Sequence, residues 1–335
     1  MTTSENPKSE NGGDERPQAP KWRVLIGSRS FGQTDPTHLT RFAAAGCEVI
    51  PNTMGRGYRA AELLDALRGV DAIITGNDEL TAEVINCADR LKTIAKHGVG
   101  VDKIDVAAAK ARGIIVTATP GANHDGVADL TLGLLLALAR QIIPAHLSMQ
   151  AGQWQRFMGF ELRDKTLGIV GLGRIGKEVC IRAEAFGMRV IAHDLYPDQT
   201  FAAAHNIIFM GLDELLKTAD IVSLHAPPSS DHKPLIGAAE LALCKPTAYL
   251  INTARGQLID EAALVAALQS GKLAGAGLDV FVHEPPTDSP LLSLKNVVLT
   301  PHSAGQTHEA QQRMGEITLE NCLRVLRGEL PLYQV

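Results

Sequence analysis

Three glycines followed by an acid are spaced as in sites that bind a dinucleotide, where the acid lies about 20 residues further on. They occur in one βαβ-like segment, which reads in order Leu167–Val170, Gly171-x-Gly173-x-x-Gly176, an amphipathic stretch to Phe186, Met188–His193 and Asp194. Gly171 would permit a tight turn, Gly173 a close approach of the backbone to a pyrophosphate, and Gly176 close packing of the helix on the sheet. Free N–H groups at the start of the helix would bind the phosphates. The alternative is a glycine-rich turn in another α/β fold.

Asp194 also bears on which dinucleotide is bound. Its carboxylate would accept hydrogen bonds from the adenosine ribose hydroxyls, whereas the 2′-phosphate of NADP would meet a like charge. The residues that follow, 195–198, contain no Arg or Lys that could neutralise such a phosphate. The sequence therefore favours NAD over NADP.

Three residues of catalytic types each follow an apolar run later in the chain. They are Arg255 after Tyr249–Asn252, Glu284 after Gly277–Phe281, and His302 after Val297–Leu299. Ligands bind at the carboxyl ends of the strands in open α/β sheets, so reacting groups are expected at these positions.

Together these residue types can oxidise a secondary alcohol that carries a carboxylate. Histidine suits the removal of the hydroxyl proton as hydride leaves carbon. Glu284 beside His302 would stabilise the imidazolium and hold its tautomer. Arg255 would bind a carboxylate and, in the reverse direction, polarise the carbonyl. Taken singly, each has another explanation: a structural histidine, a solvated loop glutamate and a surface ion pair.

The elements that must position these residues alternate between strands and helices from Trp22 onward, which predicts parallel sheets with helical crossovers. The first part contains predicted strands Val24–Ile26, Val49–Ile50, Ala72–Thr75, Thr93–Ala95 and Ile114–Val116, with helices near Leu39–Ala45, Ala60–Leu67, Ala82–Ala88 and Val106–Arg112. A long helix is predicted over about His124–Gln150. After the glycine segment the alternation resumes with strands at Ile221–Leu224, Tyr249–Ile251, Gly277–Val280 and Val297–Leu299.

A chain of 335 residues with 45% apolar content can bury two cores. The last helix, Glu309–Arg327, has no sheet of its own, so we expect it to pack back onto the first domain. We predict two doubly wound α/β domains: a Rossmann NAD-binding domain (120–303) inserted in a discontinuous flavodoxin-like substrate domain (21–119 and 304–335). Residues 1–20 are polar and are predicted to form a disordered tail.

Composition excludes several classes of partner. The net charge is -5 and no run of Lys or Arg occurs, so we expect no nucleic acid. Five scattered cysteines without metal-ligand spacing predict no metal and no disulfide framework, and fit a reducing cytoplasm. The first residues lack the apolar segment of a secretory signal. The apolar run Leu130–Ala139 is too short to cross a bilayer and is predicted to form a buried helix, so no membrane association is expected.

The chain as a whole, from Lys21 onward, resembles the D-isomer-specific 2-hydroxyacid dehydrogenase family. The motifs that carry the resemblance occur in fixed order: Lys96–Asp105, Thr119–Asn123, Gly171–Gly176, His225-Ala226-Pro227, Asn252–Gly256, Ala276–Pro286 and Thr300–Gly305.

The resemblance implies a role for each matching position. It makes His302 the acid/base, Glu284 its partner and Arg255 the residue that orients the substrate, while the backbone N–H groups of Val99 and Gly100 would bind the substrate carboxylate. It also implies two domains that close over a cleft and a homodimer formed through the cofactor domain, for which the apolar helix at Leu130–Ala139 is one candidate. The implied cofactor contacts are Gly171, Gly173, Arg174, Ile175, Gly176, Asp194, His225, Ala226, Pro227, Ala254, Asp279, which would hold the nicotinamide carboxamide, and His302.

The expected substrate class follows from the branch motifs and from Lys96. The motifs resemble the phosphoglycerate dehydrogenase branch, and Lys96 stands where it could meet a second anionic group, with Arg56 and Arg59 as possible additions or as solvated surface residues. We therefore expect a 2-oxo or 2-hydroxy acid with a phosphate, phosphonate or second carboxylate. The chain stops at Val335, so serine feedback of the kind seen in longer relatives is not expected.

Two alternatives stay open. One is a glyoxylate/hydroxypyruvate reductase, and the other is an NAD(H)-sensing corepressor that uses the same fold as a binding module. Several positions depart from the family pattern, and three of these have no assigned role: His124, Asp125 and His232.

Overall fold

The computed structural model describes residues 21–229, 231 and 233–335. The predicted N-terminal tail and His232 lie outside the described residues. The strands are β1 (Trp22–Ile26), β2 (Cys47–Ile50), β3 (Ala72–Thr75), β4 (Thr93–Lys96), β5 (Ile115–Thr117), β6 (Thr166–Val170), β7 (Arg189–His193), β8 (Ile208–Phe209), β9 (Ile221–Leu224), β10 (Tyr249–Asn252), β11 (Gly275–Leu278) and β12 (Val297–Leu299). The helices are α1 (Thr37–Ala44), α2 (Ala60–Ala66), α3 (Ala82–Cys87), α4 (Val106–Ala111), α5 (His124–Ala139), α6 (Ile142–Gln150), α7 (Arg174–Ala185), α8 (Gln199–Ala204), α9 (Leu212–Thr218), α10 (Ala238–Leu243), α11 (Glu261–Gln269) and α12 (His308–Leu326).

The chain divides into two compact units. Unit 1 contains the described residues up to Ala118 together with Gly315–Val335, and unit 2 contains Thr119–Met314. The second boundary thus lies at 314, beyond the predicted 303. Hydrogen bonds within unit 2 account for the difference, since Arg313 Nε donates to the Ala122 carbonyl at 2.9 Å and Gln311 Nε2 to the Gly305 carbonyl at 3.0 Å.

Each unit is built on one parallel sheet. In unit 1 the strand order is β2-β1-β3-β4-β5, which is the flavodoxin-like order. In unit 2 the order is β12-β11-β10-β9-β6-β7-β8, the Rossmann order with one added strand. The predicted fold class is confirmed. In folds of this kind the ligand binds at the carboxyl ends of the strands, at the point where the strand order reverses. In unit 2 this point is at β6, which leads into the glycine segment.

Both sheets are covered on both faces, which explains why their strands read as continuous apolar runs. Successive residues of one strand enter different cores: Leu250 packs on one side of the unit 2 sheet and Ile251 on the other. In unit 1, Ile73 and Ile74 divide in the same way. The second half of α12 belongs to the unit 1 core through Leu319, Cys322, Leu323 and Leu326, as predicted for a helix without a sheet.

The predicted helix over His124–Gln150 is two helices, so that prediction was wrong in its extent. Gln141 has a left-handed backbone (φ 53°), and α5 and α6 meet at 65°. Pro144 gives a physical reason, because proline would remove a hydrogen bond inside one continuous helix but is tolerated in the first turn of α6. The run Leu130–Ala139 is confirmed as helical and largely buried.

Among the described residues, no single helix is long and apolar enough to cross a membrane, although α5 and the bent α6 together would pass by length and composition.

Candidate active site

The glycine segment forms the turn between β6 and α7. Gly171 has φ +95°, and a Cβ there would lie 2.7 Å from the backbone N of Ala226, so only glycine fits. A Cβ on Gly176 would lie 2.3 Å from the Gly171 carbonyl oxygen, which shows how closely the helix approaches the turn. At Gly173, the residue before α7, the Cβ position has no atom within 4 Å and no side chain caps the helix. The open space and the uncapped N–H groups fit a bound pyrophosphate.

Asp194 follows β7 and contacts this turn directly. Its Oδ2 accepts a hydrogen bond from the Leu172 backbone N–H at 2.7 Å, and its Oδ1 accepts one from the Tyr196 backbone N–H at 2.7 Å. The predicted ribose-binding acid therefore also holds the glycine turn in place. Sequence reasoning missed this second task.

His225 lies beside the same turn, directly after β9. Its Nε2 is 2.8 Å from Ser223 Oγ, and burial lowers the pKa of the ring to about 3, so the ring is neutral at neutral pH. Its Nδ1 is buried and has no hydrogen-bond partner among the described residues. Buried polar atoms normally have a partner, so this atom is consistent with a polar ligand at the site. The other predicted cofactor contacts lie at the same edge of the sheet: Arg174 and Ile175 in the first turn of α7, Ala226 and Pro227 after β9, and Ala254 after β10.

Arg255 lies in a tight loop after β10. Asn252 stabilises the loop, because its Oδ1 accepts from the Ala254 backbone N–H at 3.0 Å and its Nδ2 donates to the Arg255 carbonyl at 2.8 Å. A Cβ on Gly256 would lie 2.0 Å from the carbonyl carbon of Phe281. This close approach places the Arg255 loop against the loop that begins after β11 and carries Glu284. The motif contained this glycine, but the contact that requires it was not predicted.

His302 and Glu284 form a hydrogen-bonded pair. His302 Nδ1 is 2.8 Å from Glu284 Oε2, and Glu284 Oε1 accepts from the Phe281 backbone N–H at 3.2 Å. The carboxylate therefore fixes the tautomer with the proton on Nδ1 and leaves Nε2 for proton exchange. The His302 side chain is 37% exposed, so a substrate can reach it.

Asp279, the predicted nicotinamide-binding acid, is fully buried and holds the segment that carries His302. Its Oδ1 accepts from Thr300 Oγ1 at 2.6 Å and from the Ser303 backbone N–H at 2.8 Å, and its Oδ2 accepts from the Ala304 backbone N–H at 2.9 Å. His302 itself has a left-handed backbone (φ 52°), which is rare for a residue with a side chain. Neither feature could be read from the spacing of the residues.

Lys96, Val99 and Gly100 lie in unit 1. Lys96 ends β4, and its ammonium donates to the Gly76 carbonyl at the end of the neighbouring β3. Val99 is 43% exposed, in the loop that contains Gly100.

The two arginines considered as additions to Lys96 both donate hydrogen bonds at the start of α2, Arg56 through its guanidinium and Arg59 through its backbone N–H. The Arg56 guanidinium bonds both oxygens of Glu62, at 2.8 and 2.5 Å, and lowers the pKa of that carboxyl to about 2. The Arg59 backbone N–H donates to Glu62 Oε2 at 2.9 Å. The charge of Arg56 is thus already balanced within unit 1, which weakens its case as an anion-binding residue.

Comparison with known proteins agrees with this geometry. Residues 132–304 match the family described as D-isomer specific 2-hydroxyacid dehydrogenase, NAD binding domain. The D-3-phosphoglycerate dehydrogenase of Methanocaldococcus jannaschii is 44% identical over 89% of this chain and 57% of its own length. The glyoxylate reductase of Thermococcus litoralis is 43% identical over 80% of this chain and 84% of its own length.

A solved structure, the TT0316 protein of Thermus thermophilus, is 42% identical and superimposes with a TM-score of 0.85, covering 93% of this chain and 99% of its own. The prediction of NAD as the cofactor is confirmed by the NAD-binding family match. The chain spans little more than half the length of the phosphoglycerate dehydrogenase it matches.

Proposed function

Because the chain belongs to the D-isomer-specific 2-hydroxyacid dehydrogenase family, we propose that it is an NAD-dependent oxidoreductase that interconverts a 2-hydroxy acid and a 2-oxo acid. The observation that carries the proposal is the hydrogen bond between His302 Nδ1 and Glu284 Oε2, at 2.8 Å, in the unit that holds the glycine turn. It provides a proton acceptor of fixed tautomer, as alcohol oxidation requires.

His302, Glu284 and Arg255 have different tasks in this reaction. Bound NAD supplies the acceptor for the hydride from the substrate C2. His302 Nε2 takes the hydroxyl proton, and Glu284 stabilises the imidazolium that results. Arg255 binds the carboxylate with its guanidinium and, in the reduction, polarises the carbonyl. For the backbone N–H groups of Val99 and Gly100, in unit 1, the family resemblance implies binding of the substrate carboxylate.

We propose that the substrate carries a second anionic group, such as a phosphate, phosphonate or carboxylate. Lys96 supports this, because it is a cation three residues before Val99, whose backbone N–H group is proposed to bind the carboxylate. The 44% identity to a phosphoglycerate dehydrogenase points the same way. The second candidate is reduction of glyoxylate or hydroxypyruvate, which the 43% identity to a glyoxylate reductase favours.

Turnover of NADH with a panel of 2-oxo acids tests the proposal. The panel contains 3-phosphohydroxypyruvate, phosphonopyruvate, 2-oxoglutarate, glyoxylate and pyruvate. The highest kcat/KM is expected for a dianionic compound, and the highest value for glyoxylate would favour the second candidate. Tight NADH binding with no turnover of any compound would contradict the enzymatic proposal and favour a cofactor-sensing binding module.

The assembly is proposed to be a homodimer formed through α6 and the segment that follows it. The predicted dimer helix, now α5, buries Leu132, Leu134, Leu135 and Leu138 within its own unit. The exposed apolar side chains lie on the next stretch instead: Ile142, Ile143, Leu147, Met149, Trp154 and Met158. Exposed apolar side chains concentrated in one segment of a chain indicate an interaction surface. A monomer by light scattering at micromolar concentration would contradict this proposal.

The cysteines of the described chain are all unpaired, which fits a cytoplasmic location.

A further inference from the structure

Three side chains of different metal-ligand types converge between α7 and the end of α8 in unit 2. They are Cys180, Glu184 and His205, and their donor atoms all lie within 4.8 Å of one another. Cys180 Sγ is 3.9 Å from Glu184 Oε1, and Glu184 Oε2 is 2.9 Å from His205 Nδ1. None of them has a task in the proposed reaction.

The donors are held by two elements. Cys180 and Glu184 are four residues apart on α7 and therefore lie on one face of that helix. His205 directly follows α8, and its ring stacks on Phe201 with centroids 4.1 Å apart. The donors thus come together from two helices, which is why the spacing along the chain did not indicate a metal site.

We propose that these three side chains form a site for a divalent transition-metal ion of the Zn²⁺ class. Thiolate, imidazole and carboxylate are the donors that Zn²⁺ takes in proteins. In a tetrahedral site with Zn–S of about 2.3 Å and Zn–N and Zn–O of about 2.0–2.1 Å, the S···O separation is about 3.6 Å and the N···O separation about 3.3 Å. The observed separations, 3.9 Å from Cys180 Sγ to Glu184 Oε1 and 2.9 Å from His205 Nδ1 to Glu184 Oε2, involve different oxygens of one carboxylate, so a small rotation of the Glu184 side chain is needed to bring one oxygen to the ion.

The surroundings of the three side chains allow a metal ion to enter from solvent. Cys180 is buried, whereas the Glu184 and His205 side chains are 35% and 25% exposed, so an ion can enter from solvent and keep one water ligand. Binding would release the thiol proton of Cys180 and use His205 as a neutral ring with its proton on Nε2. Lys177, a cation on α7, is already paired with Asp198 at 2.5 Å.

Two other clusters in the described residues have carboxylates and a histidine but are less suited to an ion. Each lacks a thiol and contains a bonded arginine: Arg41 donates to Glu316 beside His38 at 2.7 Å, and Arg182 donates to Glu178 near His124 at 2.6 Å. The guanidinium occupies the carboxylate and repels a cation. Of the three clusters, the one that contains Cys180 is therefore the best suited to bind a metal ion.

Titration of the metal-free protein with Co²⁺, in the presence of a phosphine reductant that keeps the thiols reduced, tests the proposal. One equivalent should produce a thiolate-to-cobalt charge-transfer band, which the two thiol-free clusters cannot produce. The band should be lost in Cys180→Ser. In His205→Gln the affinity for Co²⁺ should fall by more than about 10-fold, the loss that even an outer-shell partner can cause.

Cys87→Ser is the matched control, because it removes an exposed thiol of unit 1 and should leave the band unchanged. Absence of the band from the wild-type protein, or its survival in Cys180→Ser, would overturn the proposal. If Cys180→Ser does not fold, the His205→Gln variant tests the proposal instead. An unchanged affinity for Co²⁺ in that variant would exclude His205 as a ligand and overturn the proposal.

Discussion

The buried carboxylate of Asp279 fixes the backbone on both sides of His302. The His302 backbone N–H donates to the Asp279 carbonyl at 2.8 Å, while the carboxylate accepts from Thr300, Ser303 and Ala304. A left-handed backbone at a residue with a side chain costs about 1–3 kcal/mol and persists only where the surroundings hold it. Asp279 is the group that holds His302 in this conformation.

Asp279→Asn should therefore weaken both stability and turnover. The amide has only one oxygen, so its NH₂ must face an N–H or O–H donor of the segment. Leaving buried donors without an acceptor costs about 1–3 kcal/mol in the free energy of unfolding, measured by urea denaturation. Thr300→Ser, which keeps the hydroxyl, should stay near wild type in both respects. Full stability in Asp279→Asn would show that the carboxylate does not hold this segment.

His302→Ala should lose most of its turnover and keep its affinity for NADH. Removal of a general acid/base typically costs about 10²–10⁴-fold in rate. Steady-state kinetics and NADH fluorescence titration measure the two quantities. His308→Ala, which changes an exposed histidine at the start of α12, is the control and should retain activity. Wild-type kcat in His302→Ala would refute the catalytic assignment.

Glu284→Gln should lower kcat although the side chain keeps its size. One carboxylate oxygen accepts from His302 Nδ1 and the other from the Phe281 N–H, and the single oxygen of an amide can replace only one of them. The loss of a hydrogen bond to a charged group is worth about 1.5–3 kcal/mol, which is roughly a 10- to 150-fold fall in kcat. NADH affinity should not change. An unaltered kcat would mean that Glu284 does not act on His302 during the reaction.

Much of the fold could be predicted because buried parallel strands appear as continuous apolar runs. The runs at 72–75 and 221–224 coincide with β3 and β9. The glycine turn could be predicted because its glycines are required by the local backbone conformation, such as the positive φ of Gly171. The sequence interpretation failed where the structure depends on contacts between distant residues. The task of Asp279 and the donors around Cys180 are both of this kind, because one window of sequence does not contain both partners. The bend at Gln141 was missed although its signal, Pro144, lies close by in the sequence.

Asp194→Ala should narrow the preference for NAD over NADP. The change removes a ribose acceptor and a charge that repels the 2′-phosphate. Because Asp194 also accepts the Leu172 N–H, both cofactors should bind less tightly, with NAD losing more. The ratio of kcat/KM for the two cofactors is the measurement, since damage to the glycine turn affects both alike. If that ratio stays constant, Asp194 does not contact the ribose.

Lys96→Met tests the identity of the substrate. If Lys96 contacts a second anion, the loss in kcat/KM for 3-phosphohydroxypyruvate should be about 1.5–3 kcal/mol, the worth of a charge-assisted hydrogen bond. Glyoxylate has no second anion and should be affected little.

The comparison of these two substrates separates charge recognition from structural damage. The Lys96 ammonium also donates to the Gly76 carbonyl, so its removal can disturb the loop that contains Val99 and Gly100. A disturbed loop would weaken binding of the carboxylate that both compounds share, and both would then lose activity equally. Lys96→Arg, which keeps the charge, should retain more activity toward the phosphorylated compound than Lys96→Met. Equal losses for the two substrates would therefore refute the second-anion proposal and favour a reductase of small 2-oxo acids.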